Sequence, residues 1–451
     1  MFGKYSPYNE YRDSQVEWLG KLPANWDVVP GKRLFSLECH PAPAGNNIEL
    51  LSVYTDIGVR PRHTLEQKGN KASTTDGYWI VRKGDLVVNK LLAWMGAIGY
   101  SDYDGVTSPA YDILRKIRPL EPKYYHYLFR LENTGLEFKR WSRGIMDMRL
   151  RLYFEEFGKI FLPFPPLKEQ TQIAKFLDYE TAKIDALIAK QQQLIALLQE
   201  KRQAVISHAV TKGLNPAAPL RDSGVEWLGK VPAHWEEYPL KALFGLKHGY
   251  AFDSTKFSDS GKFILMTPGN FNERGGFRHK IPEKFYTGTD IPKDFILKSG
   301  QLLVAMTEQG PGLLGCALFV PEQGTYLHNQ RLGLVQKICS DKVSVQYLFH
   351  LFNSSRYRAE VSVSSTGAKV QHTSPAKILS IKIWLPPLSE QELIARFVDD
   401  RIAKVDILEV KAEQTIELLQ ERRTALISAA VTGKIDVRGW QPPANAEGAT
   451  P

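Results

Sequence analysis

The sequence predicts two similar mixed α/β (α+β) domains joined by two long antiparallel helices. Two internal repeats lead to this fold class. Residues 12–35 and 221–244 are identical at 16 of 24 positions without a gap, and residues 165–211 and 386–432 at 27 of 47. The order along the chain is a short frame, a variable segment and a helical repeat, followed by the same three parts again. We therefore expect two halves related by a pseudo-twofold axis.

The repeat boundaries predict where the domains begin and end. The first domain takes residues 1–164, the first helix 165–211, the second domain 212–385, the second helix 386–432, and a partly disordered tail 433–451. Residues 36–164 and 245–385, here called the first and second variable segments, show no long ungapped match. Because the frame has kept its likeness while these segments have not, we interpret the difference as functional divergence rather than drift.

Each helical repeat is predicted to be one long helix. Pro165-Pro166 closes the preceding strand, and no Gly or Pro follows until Gly213. Apolar residues fall on a seven-residue repeat in both copies: Ile184, Leu187, Leu194, Leu198 and Val205, then Val405, Leu408, Ala412, Leu419 and Leu426. A helix of about 66 Å must bury that stripe, and the other copy is its expected partner in an antiparallel coiled coil. The alternative, a plain core helix in each domain, fits the length less well.

The variable segments are predicted to be rich in strands separated by Gly, Asn and Pro turns. We expect strands at Tyr78–Val81, Asp85–Asn89, Phe295–Leu297 and Gln301–Met306. Residues 441–451 have a composition typical of a disordered tail.

The positive charge is concentrated in the variable segments. The net charge of the chain is +9; the first variable segment carries +3, the second +7, and everything else −1. Phosphate attraction needs basic charge, and base reading needs Arg, Lys, Asn and Gln at positions that vary. Both requirements point to the same segments, whereas the nearly neutral repeats are typical of protein contacts.

Several classes of protein are disfavoured. No apolar run reaches the roughly 18 residues of a membrane span, and the first residues lack the apolar core of a signal peptide. Three cysteines are typical of a reducing cytoplasm. No Gly-Lys pair precedes Ser or Thr, no Asn-Pro-Pro-Tyr-like loop is present, and Glu121-Pro122-Lys123 is a nuclease-like triplet common by chance. These observations favour a binding subunit over an enzyme.

Four repeated motifs carry a resemblance to a known family. They are Pro-Pro-Leu-x-Glu-Gln at 165–170 and 386–391, Leu-Leu-Gln-Glu-(Lys/Arg)-Arg at 197–202 and 418–423, Trp-Leu-Gly-Lys-x-Pro-x-x-Trp at 18–26 and 227–235, and the endings Val210-Thr211 and Val431–Asp436. With its doubled layout, the chain resembles the specificity subunit of a type I restriction–modification enzyme over almost its whole length.

The resemblance implies a function. Each variable segment would be a target recognition domain that reads one half of a bipartite site in double-stranded DNA, and the two helices would form a spacer that sets the gap. Two methyltransferase subunits and two motor–nuclease subunits would be the partners, with no membrane contact. S-adenosylmethionine, ATP and Mg²⁺ would be bound by those partners and none by this chain. The methyltransferase would act on adenine, which must leave the duplex to be reached.

Candidate DNA contacts are ranked by side-chain chemistry and position in Gly-rich turns; a solvated surface charge is the alternative for each. In the first variable segment they are Arg60, Arg62, Asn89, Lys90, Arg143, Arg149 and Arg151. In the second they are Arg274, Arg278, Gln309, Asn329, Gln330, Arg331, Lys369, Gln371 and His372. Glu169, Gln170, Glu390 and Gln391 are candidates for partner contacts and equally for first-turn residues stabilised by the helix dipole. No catalytic or metal-binding residue is predicted.

Three other functions stay open. The chain would be a catalytic nuclease or methyltransferase if it bound S-adenosylmethionine or cut DNA alone. It would serve a related system if one partner chain fused methylation and cleavage, which the neighbouring genes would reveal. A coiled-coil scaffold without sequence preference would bind any DNA equally.

Overall fold

The computed structural model describes residues 5–55, 57–64, 74–145, 149–308, 312–367 and 370–443. The chain forms two compact units, Met1–Gln191 with Gln414–Pro451, and Gln192–Glu413. The division falls in the middle of each long helix rather than at the helix ends, where the repeat boundaries lie in the sequence. The physical reason is that each half of a helix packs into the core of one unit.

The first unit combines short strands with three helices and the beginning of a long one. Its strands are β1 (Tyr11–Asp13), β2 (Lys21–Pro23), β3 (Asp27–Pro30), β4 (Phe35–Leu37), β5 (Leu51–Tyr54), β6 (Gly58–Pro61), β7 (Trp79–Val81), β8 (Leu86–Asn89), β9 (Ile98–Tyr100), β10 (Gly105–Thr107), β11 (Tyr111–Lys116) and β12 (Phe161–Phe164). Its helices are α1 (Pro122–Phe129), α2 (Glu132–Trp141), α3 (Phe154–Phe157) and the first half of α4 (Leu167–Lys212).

An antiparallel sheet in the order β4-β11-β8-β9 organises this unit, and β1–β2, β3–β12, β5–β6 and β7–β10 form pairs beside it. The sheet is buried on both faces. Leu86 and Val88 of β8 pack into the main core, while Val87 packs with Leu51 and Val59 in a smaller cluster. Because successive side chains point to opposite faces, burial on both sides explains why Leu86, Val87 and Val88 are all apolar.

The second unit repeats this architecture with extra strands. Its strands are β13 (Leu220–Asp222), β14 (Lys230–Pro232), β15 (Glu236–Pro239), β16 (Gly245–His248), β17 (Phe257–Ser258), β18 (Phe263–Met266), β19 (Phe285–Tyr286), β20 (Leu302–Ala305), β21 (Thr307–Glu308), β22 (Ala317–Phe319), β23 (Thr325–His328), β24 (Leu332–Gln336), β25 (Gln371–His372) and β26 (Lys382–Leu385). Its helices are α5 (Val345–Phe352), α6 (Ser355–Val363), α7 (Pro375–Ser380) and the first half of α8 (Leu388–Val431), with the second half of α4.

The sheet order β16-β24-β20-β22 matches that of the first unit, and a second sheet follows the order β17-β19-β18-β23. In that second sheet β18 and β23 are parallel, with Met266 beside His328. The residues that follow these two strands therefore emerge at the same edge. The predicted strand at Phe295–Leu297 is wrong, because Lys293–Phe295 form a 3-10 turn and only Ile296 makes an isolated bridge, to Leu327.

The two long helices pair antiparallel within each unit, which confirms the predicted fold class. In the first unit Ile184 and Leu426 are buried together with Ile188 and Leu419 at their side. In the second unit Leu198 and Val405 are buried. The seam differs from the predicted stripe in one respect: Leu187, Leu194 and Leu408 are exposed, because the buried positions follow a four-three spacing that leaves these leucines on the flank.

The chain after α8 returns to the core of the first unit. Ile435 and Val437 are buried there, and the Trp440 ring meets the Phe176 ring edge-on at 5.3 Å. Ser6 accepts a backbone hydrogen bond from Asp436 at 2.8 Å. The predicted disordered tail, residues 441–451, lies outside the described residues from 444 onward.

Candidate nucleic-acid interface

In the first unit the short repeat contacts the start of the helical repeat, and the residues of this contact are here called the frame. The indole nitrogen of the buried Trp26 donates a hydrogen bond to Glu169 Oε1 at 2.7 Å, and Asn25 donates to Glu169 Oε2 at 3.0 Å. The Tyr8 hydroxyl donates to the same carboxylate. A buried carboxylate is costly unless donors satisfy it, and these three do. These hydrogen bonds therefore fix the start of α4 against the tryptophan motif of residues 18–26.

The second unit contains the same frame. Trp235 Nε1 donates to Glu390 Oε1 at 3.3 Å, and His234 Nε2 lies 2.7 Å from Glu390 Oε2. Trp235 and His234 stand at the repeat positions of Trp26 and Asn25. The repeated residues are thus those that hold each frame together.

The glutamines at the helix entries are internal rather than partner contacts. Gln170 Nε2 donates to Pro165 O at 2.7 Å, and its Oε1 accepts from the Glu121 amide at 2.9 Å. Gln391 makes the equivalent bonds to Pro386 O at 2.8 Å and from the Ser344 amide at 2.9 Å. Both side chains are 0% exposed, so a partner subunit cannot reach them. This corrects the expected partner role, and the bonds of Glu169 and Glu390 described above are intramolecular too.

Helices α4 and α8, here called the spacer, have the same register in both units. In the first unit Arg423 Nε lies 2.9 Å from Asp185 Oδ1, and in the second Arg202 Nη1 lies 2.7 Å from Asp406 Oδ1. Asp185 and Asp406 occupy equivalent positions of the helical repeat, as do Arg423 and Arg202. The two ion pairs are therefore equivalent, as in the contacts of a symmetric dimer. The helix pair therefore has the same register in each unit, in agreement with the sequence repeat.

In the first variable segment the end of β8 is turned inward. Asn89 is 8% exposed, and its Oδ1 accepts a hydrogen bond from the Leu91 amide at 3.1 Å. Lys90 Nζ lies 3.0 Å from Asp112 Oδ1 and donates to Pro109 O at 3.3 Å. Asn89 is thus a turn residue, and the Lys90 charge is already compensated.

Two of the predicted arginines, Arg143 and Arg151, pair with each other beside Lys90. Arg143 and Arg151 face each other through paired backbone hydrogen bonds of 3.0 and 2.9 Å, and the Leu152 amide donates to Lys90 O at 3.0 Å. Arg143 forms an ion pair with Glu156, while Arg149 and Arg151 are exposed. The loop therefore offers two solvated arginines to a ligand.

Arg60 and Arg62 lie on a different part of this segment. Arg60 Nη1 donates to the carbonyl oxygen of Val59 at 3.0 Å. Arg62 lies close to Tyr111, whose pKa is raised by burial and by Tyr54 and lowered by Arg62. Tyr111 is partly buried and packs against the smaller core cluster of this unit.

The second variable segment contains an open cleft of about 840 Å³. Thr267 and Asn329, which follow the parallel strands β18 and β23, line it from one edge. Its lining residues are Phe252, Ser254, Phe257, Leu265, Thr267, Pro268, Gly269, Glu273, Lys280, Lys284, Thr307, Leu313, Asn329, Gln330 and Arg331. The cleft thus combines apolar walls with cations and amides.

Three predicted DNA contacts line this cleft, and a fourth borders it. Gln330 and Arg331 are exposed on its wall, while Asn329 is 8% exposed and accepts a hydrogen bond from the Arg331 amide at 2.9 Å. Arg278 Nε donates to the carbonyl oxygen of Gly269, a lining residue, at 2.9 Å. The structure therefore brings together residues that are about 50 positions apart in the sequence.

The other candidates in this segment lie elsewhere. Arg274 pairs with Glu409 of the spacer, so its charge fastens the segment to α8 rather than facing a ligand. Gln371 Oε1 accepts from Ser362 at 3.1 Å, and His372 Nδ1 lies 3.1 Å from the hydroxyl of Thr307, a cleft residue. Gln309 and Lys369 lie outside the described residues.

Lys280 and Lys284 are cleft residues that the sequence analysis missed. The signal was present as a basic run, because Arg274, Arg278, Lys280 and Lys284 fall within eleven positions. Their joint position depends on tertiary packing, because Lys280 lies against Gly269, where an added Cβ would be 3.0 Å from Lys280 Cδ.

The half-buried His126 and the buried His328 are neutral structural residues. Burial, with Arg130 and Lys123 nearby, lowers the pKa of His126 to about 3, and its Nδ1 accepts a hydrogen bond from the Tyr100 amide at 3.1 Å. Burial also lowers the pKa of His328 to about 4. Within the described ranges no group of three or more His, Cys, Asp or Glu is placed to hold a metal ion. The helices described here all lack the length or the apolar character needed to span a bilayer.

Comparison with known proteins identifies similar chains. The family model for the type I restriction modification DNA specificity domain matches residues 23–197 and 232–418. The chain is 26% identical over 373 residues to the type I restriction enzyme MjaVIII specificity subunit of Methanocaldococcus jannaschii, over 78% of this chain and 81% of that protein. It is 37% identical over 217 residues to the type I restriction enzyme StySPI specificity subunit of Salmonella potsdam, over 46% of this chain and 44% of that protein.

Solved structures show the same fold. One, described as the structural basis of complex assembly and conformational transition of the type I R-M system, is 16% identical with a TM-score of 0.65, over 92% of this chain and 99% of that chain. The HsdS subunit from Thermoanaerobacter tengcongensis is 17% identical with a TM-score of 0.51, over 92% of this chain and 98% of that chain.

Proposed function

The chain belongs to the type I restriction modification DNA specificity family, and on this premise we propose that each variable segment reads one half of a split DNA site. As a specificity subunit, the chain is the non-catalytic DNA sequence-recognition subunit of a type I restriction–modification system. Its partners are DNA and the methyltransferase and restriction subunits of that system.

One observation carries the split-site proposal: the two units share a frame but not a surface. The bond between Trp26 and Glu169 recurs as that between Trp235 and Glu390. The surfaces above these frames differ, because the first presents an arginine loop and the second a cleft with lysines. Two unlike readers on like frames are suited to two unlike half-sites.

We propose that the spacer sets the gap between the half-sites. Helix α4 has 46 residues, so it extends about 69 Å without a break. DNA half-sites on one face of the duplex are about 34 Å apart for each helical turn between them. A helix pair with repeated ion pairs resists bending, whereas a flexible linker would allow many gap lengths.

The spacer also presents two equivalent apolar patches, which we propose as docking sites for two methyltransferase subunits. Leu187 and Leu418, 45% and 65% exposed, form the patch of the first unit. Because Asp185 pairs with Arg423, these leucines lie about 4.5 Å apart along the helix axes. Leu197 and Leu408, 54% and 49% exposed, are their repeat counterparts in the second unit. Two matching patches support two copies of one partner.

The remaining parts of the proposal concern those partners. We assign S-adenosylmethionine to the methyltransferase subunits, and ATP and Mg²⁺ to two motor–nuclease subunits. We place the complex in the cytoplasm, where the free Cys39, Cys316 and Cys339 would stay reduced. A partner that fuses methylation and cleavage in one chain would use the same split-site reader, so purification of the native complex would distinguish the two systems.

Genome-wide adenine methylation tests the split-site proposal. The chain would be expressed with its methyltransferase subunit in a host that lacks adenine methylation. We expect one motif of two short half-sites around a fixed unspecified gap. Alanine at both Arg149 and Arg151 should degrade one half, and alanine at both Gln330 and Arg331 the other. A continuous motif, or both halves degraded by one variant, would contradict the proposal.

Mass measurement of the purified complex tests the docking patches. Lysine at both Leu187 and Leu418 should leave one methyltransferase subunit bound instead of two, and lysine at both Leu197 and Leu408 should have the same effect. Leu393→Lys is the matched control, because Leu393 is 54% exposed on α8 but outside both patches. Two bound subunits in every variant would rule out these patches.

A further inference from the structure

Four cations surround the cleft of the second variable segment without acidic partners. Arg278, Lys280, Lys284 and Arg331, here called the four-cation cluster, form no ion pair with any residue that the structure describes. Burial lowers the pKa of Lys280, and Lys284, Arg331 and Arg278 lower it further. These groups are therefore close enough to repel one another.

Two acids near the cleft bond to groups other than the four cations. Glu283 faces His279 at 3.2 Å, and Glu308 accepts hydrogen bonds from the amides of Leu313 and Leu314 at 2.7 and 2.8 Å. Among the described residues that line the cleft, Glu273 is the one carboxylate, and it is exposed. An excess of positive charge in a concave surface attracts an anion more strongly than the same charge on a flat surface.

The first variable segment shows the opposite arrangement. Lys90 is paired with Asp112, and Arg143 with Glu156. A cation whose charge is already compensated by a carboxylate attracts a phosphate less, because the net charge of the pair is about zero. All three arginines of the loop are exposed, and Arg149 and Arg151 form no ion pair with a described residue.

We propose that the four-cation cluster binds the phosphate backbone of DNA and that the second variable segment supplies most of the sequence-independent affinity. The inference rests on the proposed function, because it assumes that duplex DNA is the ligand. The apolar wall supports it: Lys284 Nζ lies 5.8 Å from the Phe257 ring centre, so the ring holds this charge at the cleft. The first variable segment then contributes mainly sequence discrimination.

The salt dependence of DNA binding tests this inference in the complex with the methyltransferase subunit. Each phosphate contact contributes about 0.9 to the slope of log affinity against log salt. The variant with alanine at Lys280 and Lys284 should reduce that slope by about 1.8 between about 50 and 200 mM salt and bind roughly tenfold more weakly. Arginine at both positions should retain the slope, which separates charge from folding.

Two charge-matched controls locate the effect. Alanine at Lys293 and Lys298, exposed residues of the same segment outside the cleft lining, should leave the slope unchanged. Alanine at Arg149 and Arg151 should reduce it by less than the cleft variant does. An unchanged slope in the cleft variant, or an equal reduction in the first-segment variant, would overturn the inference.

The wild-type complex separates this result from the proposed function. If it shows no preference for any sequence, the proposed function fails whatever the slopes are. If it prefers a split site but the cleft variant keeps the full slope, only the assignment of the four-cation cluster fails.

Discussion

Single residues divide into those that hold the frames and those that face solvent at the variable surfaces. Trp26 and Trp235 are buried and bond to Glu169 and Glu390. Removing one partner of such a bond leaves a desolvated polar group, which costs about 1–3 kcal/mol. The Arg331 side chain is solvent-exposed and forms no hydrogen bond or ion pair with a described residue. Replacing a frame residue therefore costs more stability than replacing an exposed residue of a variable segment. This difference explains how the variable segments can diverge while the frames stay alike.

Two residues predict how acid affects folding. The pKa of His126, about 3, and that of His328, about 4, lie below the ordinary value near 6.5, so the unfolded chain binds protons more readily than the folded one. Stability should be complete above about pH 6.5 and decline as the pH falls toward the folded pKa values, by at most about 1.4 kcal/mol per pH unit for each histidine.

Urea unfolding at about pH 7.5 and pH 5.5 measures this effect. His126→Asn keeps an acceptor for the Tyr100 amide but does not titrate, so the variant should lose less stability between the two pH values than the wild type. An equal loss in both proteins would show that His126 does not contribute.

At the scale of elements, the seven-residue pattern of the long helices includes both buried and exposed apolar positions. Ile184 and Leu198 belong to the buried seam, whereas Leu187 and Leu194 are exposed. A strictly amphipathic helix would place all four residues in one buried stripe. From the sequence alone, an apolar residue in the contact between the helices cannot be told from an exposed apolar residue beside it. The proposed docking patch of the first unit explains the exposed Leu187, and nothing in the structure explains the exposed Leu194.

The glycines after the long helices offer a test of the frames. Gly213 and Gly433 have φ values of +73° and +70°, which side chains rarely adopt. An added Cβ at Gly433 would lie 2.4 Å from Pro23 Cδ, whereas at Gly213 it would meet Glu390 Oε1 at 3.0 Å. Alanine at either position should cost about 1 kcal/mol or more for the backbone alone.

Gly433→Ala should cost more than Gly213→Ala, because the Pro23 ring cannot move aside as the Glu390 side chain can. Thermal unfolding of the two variants compares these costs. A smaller loss for Gly433→Ala would show that the contact with Pro23 is unimportant.

At the scale of the whole molecule, the spacer consists of two repeated helices of nearly equal length, 46 residues in α4 and 44 in α8. Helix α4 is the repeat counterpart of α8, and the ion pair of Asp185 is the counterpart of that of Asp406. A change in spacer length must be made in both helices, because antiparallel partners keep their register only if both gain the same number of residues.

Insertion of seven residues into both helices, after Gln191 and after Glu413, should lengthen the unspecified gap. Seven helical residues add about 10 Å, which corresponds to about three base pairs. Adenine methylation sequencing should then reveal the same half-sites around a longer gap. An unchanged gap would contradict the spacer role, and insertion into one helix alone is the control that breaks the register.

The amino-acid sequence is sufficient to predict the doubled frame, the two long helices, the strand-rich variable segments and the location of the positive charge. These properties follow from identity between repeats, periodicity and composition, which are local or additive. Only the tertiary structure decided which charges are free. It placed Lys280 and Lys284 beside Arg331, and it neutralised Lys90 with Asp112 and turned Arg274 toward the spacer. The physical reason is that the electrostatic state of a side chain depends on neighbours distant in sequence, which the packing of strands brings together.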